Sequence, residues 1–209
     1  HWVSDEQSMV AHDFSDPQLM ALLPETLRVH ALLTMKLASI MGVSLRIQRQ
    51  CLLDFRPWPY RCQLESITYG NWYNDAKSSN LAAAKYALSN IYGKHQRKVI
   101  WLAGGLTKQE DFSQLGSWVA KYVQHAIVFG ADKKLFLDHI RGHCPISPVK
   151  RLQDAIELSL QMMTAEDVVV FSPAAASFDQ FENYMHRGQS FSEYLHNHFV
   201  ISNSGLCDG

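Results

Sequence analysis

Several signatures of common protein classes are missing from this 209-residue sequence. The chain opens without a basic, apolar leader and contains no apolar run near the ~20 residues that cross a bilayer. Its net charge is -1, with scattered Lys and Arg and hence no basic field for nucleic acid. No C-x-x-C pair occurs among the four cysteines, which are Cys51, Cys62, Cys144 and Cys207. We therefore expect a cytoplasmic protein with reduced thiols and with neither membrane nor nucleic acid as a partner.

The familiar catalytic motifs are missing as well. There is no G-x-x-x-x-G-K-[ST] loop and no G-x-S-x-G elbow, so the chain cannot cradle a triphosphate in the P-loop manner by itself. The closest histidine pairs, His139/His143 and His196/His198, lack an H-E-x-x-H context or a carboxylate at a suitable spacing. No metal site is therefore predicted.

The organisation of the chain changes near residue 57. Before it, "RVHALLTMKLASIMG" and "SLRIQRQCLLDF" carry apolar residues at helical spacing, and Gly42 is a natural end for the first helix. The two prolines of "RPWPYR" then indicate a linker. We predict a partial helical segment over residues 1–57 and a second domain over residues 58–209.

The second domain alternates apolar strands with amphipathic helices. The predicted strands are "SITYGNWY", "KVIWLAGG", "AIVFG", residues 146–149 and "DVVVFS", and the predicted helices cover residues 80–90, 111–123, 132–140, 152–163 and 179–198. Continuous apolar strands that alternate with helices are typical of a parallel sheet covered on both faces. The sequence therefore predicts a doubly wound α/β domain with a mostly parallel sheet.

Three of the loops that leave these strands are chemically unusual: "NDAKSSN", "AGGLTKQEDF" and "SPAAAS". Ligands of such sheets bind at the carboxyl ends of the strands. Lys77 and Lys108 supply positive charge, and Ser79 and Ser177 supply hydroxyl groups. Ser177 with Gln180 forms a capping-box pattern for the last helix, and the three alanines would let a ligand approach the backbone. The loops together predict a site for a small anion.

Each of these features also has an ordinary structural explanation. Ser177 fits a helix cap with no ligand, the two lysines fit solvated surface positions, and Gly104 and Gly105 fit a simple turn. The argument for a site therefore depends on the convergence of the three loops on one sheet edge.

The segments "WYNDAKSSN", "IWLAGGLTKQEDF", "VFG" and "VVVFSPAAASFDQFENYMHRGQSF" resemble the C-terminal domain of the Mur ligases, in the branch that adds D-glutamate to UDP-N-acetylmuramoyl-L-alanine. The likeness runs over roughly residues 55 to 198. It implies that residues 58–209 are the C-terminal, Rossmann-like, D-glutamate-binding domain of an ATP-dependent ligase of peptidoglycan synthesis, expected to be a cytoplasmic monomer. Residues 1–57 would be a remnant of its central ATP-binding domain together with the linker. In that family a carboxylate is phosphorylated to an acyl phosphate, which the amine of D-glutamate attacks through a tetrahedral intermediate. ATP and Mg²⁺ are held mainly by a central domain.

The resemblance also implies roles for individual residues. By position, Lys77 and Lys108 would be catalytic. The residues expected around D-glutamate are Ser79, Lys108, Ser177, Phe178 and Tyr184. Arg61 and Asp75 would reach the ribose or phosphates of ATP, and His30 would lie near its adenine.

The sequence departs from the family pattern at several positions: Ala31 and Thr34 replace asparagines, Pro57 and Tyr60 alter the linker, Leu106 replaces an acidic residue, and Ala76 replaces Ser or Thr. A UDP-binding domain, a P-loop and a magnesium-binding carboxylate set are not recognised in the chain. We therefore expect it to be inactive alone, as a piece of a longer ligase. The alternatives are a degenerate paralogue that serves as a binding or regulatory module, and a stand-alone α/β protein that acts on another anion.

Overall fold

The computed structural model describes residues 25–55 and 58–204 of the chain. Pro57 and Cys207, which were singled out above, lie outside the described residues. Contacts divide the chain into two compact units, with the boundary between Pro57 and Trp58.

Within residues 25–55 of the first unit, the chain forms the helices α1 (Glu25–Ile40) and α2 (Leu45–Asp54). The turn between them includes Gly42, whose φ of 80° is readily adopted by glycine. The Gln48 amide packs back on the turn and donates to the Ser39 hydroxyl (2.9 Å) and the Val43 carbonyl (2.7 Å). The two helices predicted before the linker are therefore confirmed.

The second unit is built on a six-stranded sheet in the order β1-β2-β6-β3-β4-β5. The strands are β1 (Gln63–Leu64), β2 (Asn71–Asn74), β3 (Val99–Gly104), β4 (Val123–Phe129), β5 (Ile146–Pro148) and β6 (Val168–Phe171). The helices are α3 (Leu81–His95), α4 (Leu115–Tyr122), α5 (Lys133–Ile140), α6 (Leu152–Met162) and α7 (Tyr184–Ser204). Every strand pair is parallel except β1 with β2.

Side chains alternate between the two faces of the sheet, as the period of a strand requires. Trp101 of β3 packs into one cluster with Trp118 of α4, together with buried residues of α3 and α5. Its neighbour Leu102 packs into a second cluster with Ile156 of α6 and Phe191 of α7. Both faces are thus covered by helices, which confirms the predicted doubly wound α/β fold.

The observed elements differ from the prediction in several places. The antiparallel strand β1 was not predicted, because two exposed edge residues carry no apolar pattern. The helix after β3 is shorter than predicted because α4 begins at Leu115 rather than at residue 111, and β4 begins at Val123, directly after the end of α4 at Tyr122.

The prediction that Ser177 caps the last helix was wrong. Helix α7 begins at Tyr184, and the Ser177 carbonyl instead accepts from the amides of Gln180 (3.2 Å) and Phe181 (2.9 Å) in a turn. The cap is Asn183, whose side-chain oxygen accepts from the amides of Met185 and His186, both at 2.9 Å. Ser177 therefore lies in a loop, several residues before the helix.

The strand order brings the three unusual loops to one edge. Strand β6 lies between β2 and β3, because the chain returns from the β5 edge to the centre of the sheet. The carboxyl ends of these three parallel strands are consequently neighbours, at a point where the strand order reverses.

Candidate functional site

The candidate site is the rim formed by residues 75–80 after β2, 105–114 after β3 and 172–183 after β6. The second and third of these loops pair directly. The Leu106 amide donates to the Ala176 carbonyl (2.9 Å), and the Ala176 amide donates to the Leu106 carbonyl (2.8 Å). This bridge fixes the loop that carries Lys108 beside the loop that carries Ser177.

Two glycines make that approach possible. Gly104 and Gly105 have φ values of 135° and 137°, which strongly favour glycine. A Cβ at Gly104 would lie 2.0 Å from the Phe129 carbonyl oxygen, and a Cβ at Gly105 would lie 2.2 Å from the Ala176 carbonyl oxygen. The glycine pair thus has a packing role beyond shaping a turn.

The three alanines after β6 were expected to leave the backbone open to a ligand, but two of them lie in the interior. Ala174 and Ala175 are fully buried and belong to the core. Ala174 has a φ of 58°, an uncommon value for a residue with a side chain. Small side chains are needed here because the loop passes against Gly105 in the interior of the protein.

Arg187 of α7 is the main residue of the rim that the sequence did not indicate. Its side chain is 1% exposed, and one terminal nitrogen donates to the carbonyls of Ala76 (2.9 Å) and Ala175 (3.0 Å). It therefore joins the loop after β2 to the loop after β6. Its Nε and its other terminal nitrogen are buried and have no hydrogen-bond partner among the described residues. Burial lowers the pKa of the guanidinium to about 10, while Asp179 and Asp75 act in the opposite direction.

Asp75 is also buried, at 7% exposure. Its carboxylate accepts from the Ser172 hydroxyl (2.7 Å) and from the Cys62 amide (3.2 Å). Burial raises the pKa of the Asp75 carboxyl to about 6, although these hydrogen bonds and the charge of Arg61 favour the ionised form. This carboxylate, predicted to reach ATP, thus already bonds within the protein.

Lys77 and Tyr184 are brought together. The Lys77 ammonium lies 4.1 Å from the centre of the half-buried Tyr184 ring, a cation–π distance. The Lys77 amide donates to the Tyr60 carbonyl (3.1 Å), so both ends of the lysine are positioned.

Lys108 and Phe178 extend into solvent. Phe178 is 69% exposed, and Lys108 is exposed with no hydrogen bond or ion pair to any described residue. The Lys108 loop is held on either side of the lysine. The Thr107 amide and hydroxyl donate to Asp132 (2.7 and 2.8 Å), and Glu110 accepts from the Leu81 amide at the start of α3 (2.8 Å).

The remaining predicted residues occupy less defined positions. Ser79 is half-buried in the loop after β2, and Ser177 is buried at 3% exposure. Arg61 is exposed and interacts electrostatically with Asp75. His30 lies in α1 of the first unit and is exposed, and its role near adenine stays a prediction.

Within residues 25–55 and 58–204, no group of three His, Cys, Asp or Glu side chains is arranged to hold a metal ion. None of the described helices combines the length and apolar character that spanning a bilayer requires.

The model of a protein family described as "Mur ligase, glutamate ligase domain" matches residues 61–175. The chain belongs to the Mur ligase family. Among its relatives is the UDP-N-acetylmuramoylalanine--D-glutamate ligase of Hydrogenovibrio crunogenus, 34% identical over 80% of this chain. That alignment covers 37% of the relative, so this Mur ligase chain spans little more than a third of the length of the curated relatives it matches.

Solved structures support the same fold. A UDP-N-acetylmuramoylalanyl-D-glutamyl-2,6-diaminopimelate--D-alanyl-D-alanyl ligase from Acinetobacter baumannii superposes with a TM-score of 0.55 at 12% identity, over 83% of this chain and 37% of its own. The MurF ligase from Thermotoga maritima, solved in complex with ADP, gives a TM-score of 0.53 at 14% identity, over 83% and 39%. At these identities the likeness concerns the fold alone. The family and fold predicted from the sequence are confirmed, whereas the roles of individual rim residues stay predictions.

Proposed function

We propose that this chain is the C-terminal, D-glutamate-binding part of a ligase that adds D-glutamate to UDP-N-acetylmuramoyl-L-alanine. The observation that carries the proposal is the 34% identity to a D-glutamate ligase over 80% of the chain. The geometry of the rim supports it, because Lys77, Tyr184 and Ser177 lie on neighbouring loops that bonds within the protein hold together.

The rim has the chemistry that an amino diacid requires. D-glutamate carries two carboxylates, and the rim offers the Lys77 and Lys108 ammonium groups with the hydroxyls of Ser79 and Ser177. Phe178 and Tyr184 would cover the methylene groups. We expect the amine of D-glutamate to remain free of these contacts, since it has to attack the activated carboxyl group.

The two lysines would contribute differently to the reaction. Lys77 is held at both ends and would orient the substrate before the reaction. Lys108 is exposed and would close on the carboxylate after binding, where its charge also favours the developing oxyanion of the tetrahedral intermediate. Exclusion of water by the covered site would protect the acyl phosphate from hydrolysis.

ATP and Mg²⁺ would be held mainly by a central domain. Among the described residues no group of three His, Cys, Asp or Glu side chains could hold a metal ion, which is consistent with assigning Mg²⁺ to that domain. Arg61 is exposed and suited to a phosphate contact, and Asp75 would help to hold the Arg61 segment through Cys62.

Titration of the 209-residue chain with D-glutamate and L-glutamate tests the proposal. We expect weak binding that favours the D-enantiomer, and a loss of about tenfold in affinity in Lys108→Ala or Ser177→Ala, the effect of one charge-assisted hydrogen bond. Equal binding of both enantiomers would contradict the site.

A matched control is Lys121→Ala. This lysine is exposed in the last turn of α4, immediately before β4 starts, and so lies at the opposite end of the sheet from the rim. It should bind D-glutamate as the wild type does. A loss equal to that of Lys108→Ala would show that the lysines act only through overall charge.

The second candidate, a binding or regulatory module without ligase activity, is favoured by one feature. Ala31 and Thr34 occupy positions at which the family resemblance implies asparagines near adenine, and Ala31 is buried at 8% exposure within α1. Such a module would bind D-glutamate but would not support ligation when joined to a central domain of a relative. A ligation assay on that fusion distinguishes the two functions.

A further inference from the structure

Residues 58–63, which we call the entry segment, make an unusual set of contacts at the start of the second unit. Two residues in it, Tyr60 and Cys62, have positive φ values of 63° and 50°. Such values are uncommon for residues with side chains and persist where the surroundings fix the backbone. We therefore expect contacts with the rest of the second unit to hold the backbone of the entry segment in this conformation.

Two of these contacts reach residues of the candidate site. The Tyr60 carbonyl accepts from the Lys77 amide (3.1 Å), and the Cys62 amide donates to Asp75 (3.2 Å). The entry segment is thus hydrogen-bonded to both ends of the stretch from Asp75 to Lys77.

The Tyr60 ring holds the entry segment in place. It lies so closely on Gly188 in α7 that a Cβ at that glycine would come within 2.5 to 2.8 Å of three ring carbons. The ring also packs against the core cluster that contains Trp72 and Phe191. Gly188 follows Arg187 directly and accepts from the Asn74 side chain (2.9 Å), so the ring rests on the structure that supports the rim.

We propose that Tyr60 is a positioning residue for the glutamate site: its ring, seated on Gly188, holds the entry segment in the place from which that segment fixes Lys77 and Asp75. This inference rests on the proposed function for its effect on D-glutamate, but the contacts can be tested separately. It also means that any displacement of the entry segment is transmitted to Lys77 through one hydrogen bond.

The test uses the 209-residue chain with Tyr60→Ala, Tyr60→Phe and Gly188→Ala. Amide hydrogen exchange should show a loss of protection of about tenfold at Lys77 and Cys62 in Tyr60→Ala and Gly188→Ala, without change at Ile127 in β4. The D-glutamate affinity should fall about fivefold in the same two variants. Tyr60→Phe keeps the ring and should behave as the wild type does.

Two further variants serve as controls. Trp58→Ala removes an aromatic residue of the same segment that is 73% exposed, and it should leave exchange and affinity unchanged. The double variant Tyr60→Ala/Gly188→Ala should be no less stable than Tyr60→Ala, because alanine without the opposing ring favours the helix.

The outcomes separate the two proposals. If the wild type does not bind D-glutamate, the proposed function is wrong. The contacts of the entry segment are then tested by the hydrogen-exchange protection of the Lys77 and Cys62 amides alone. If those amides keep their protection in Tyr60→Ala, the inference is overturned, whatever the affinity. If they lose it while the affinity is unchanged, the entry segment is structural only and the positioning role is overturned. If Tyr60→Ala does not fold, Gly188→Ala provides the same readouts.

Discussion

The loops that carry Lys77 and Lys108 lie on the same rim but are built in opposite ways. In the loop after β2, Asp75, Ala76 and Ser78 are all buried. In the loop after β3, Leu106 is 42% exposed and Lys108 is exposed. One lysine is therefore attached to a buried support and the other to a surface loop.

The contacts that hold the two loops in place also differ. The Lys77 loop bonds to the β6 loop through Arg187 and to the entry segment through Tyr60. The Lys108 loop is tied to the β6 loop by the backbone bridge between Leu106 and Ala176, and elsewhere by flanking side chains, Thr107 to Asp132 and Glu110 to the start of α3. A ligand that binds both lysines would have to order mainly the Lys108 side chain. The conformational entropy that Lys108 loses on ordering opposes binding. The contrast predicts a rim that is preorganised on one side only.

Removal of the Arg187 side chain should have the largest effect on the free energy of unfolding. The Lys77 loop would lose its buried support and would come to resemble the Lys108 loop. Arg187→Ala leaves a cavity and two unpaired carbonyls, and should lower the free energy of unfolding by about 3–5 kcal/mol. Arg187→Met fills the space and removes a buried charge, so its cost should be smaller, about 1–3 kcal/mol. Urea denaturation measures both values.

Hydrogen exchange on Arg187→Met shows where the change occurs. Protection should fall at Lys77 and Ser78 but remain at Thr107, whose amide bonds to Asp132. An Arg187→Met protein as stable as the wild type would mean that the two carbonyl bonds contribute nothing net. The buried support for Lys77 would then have to come from the entry segment.

Asp75 makes the buried side of the rim dependent on pH. The pKa of its carboxyl is raised to about 6 in the folded protein from 3.8. The folded state therefore holds the proton more tightly than the unfolded state does. The protonated Asp75 carboxyl therefore contributes to the free energy of unfolding. This contribution is fully present below pH ~4 and is lost as the pH rises through ~6, a change of up to about 3 kcal/mol.

Comparison with Asp75→Asn isolates that contribution. We subtract the free energy of unfolding of the wild type from that of Asp75→Asn. This difference should increase by about 2–3 kcal/mol from pH 4 to pH 7.5, because the wild type loses stability as Asp75 ionises and asparagine does not ionise. Urea denaturation across this range gives the difference, in which the titration of the other carboxyls cancels. A difference that stays constant with pH would show that the Asp75 carboxyl is not desolvated in solution.

The sequence predicted the fold and the location of the rim because both follow from local patterns. Apolar strands that alternate with helices require a covered parallel sheet, and the loops at its carboxyl ends then become neighbours. The strand β1 was not predicted, because its residues Gln63 and Leu64 are exposed and carry no pattern. The start of α7 was misplaced, since Ser177 with Gln180 satisfies the same local rule that Asn183 fulfils in the structure.

The supports of the rim could not be predicted, since they depend on tertiary contacts. An arginine on a helix is usually exposed, so its residue type did not distinguish Arg187 from a surface residue. The one available signal was the adjacent Gly188, because a glycine inside a helix often marks a close approach. The structure places the Tyr60 ring at that point.

The smallest predicted effect concerns Glu110, which ties the exposed loop to the buried one through the Leu81 amide (2.8 Å). Glu110→Ala removes an acceptor at the first residue of α3 and should lower the free energy of unfolding by about 0.5–1.5 kcal/mol. Glu110→Gln keeps the acceptor and loses only the charge, so about half of that cost is expected. With the tie released, the affinity for D-glutamate should fall by only about two- to threefold, since the Lys108 side chain is already exposed. Thermal denaturation and titration measure the two effects, and a tenfold loss of affinity would show that the Lys108 loop is as preorganised as the Lys77 loop.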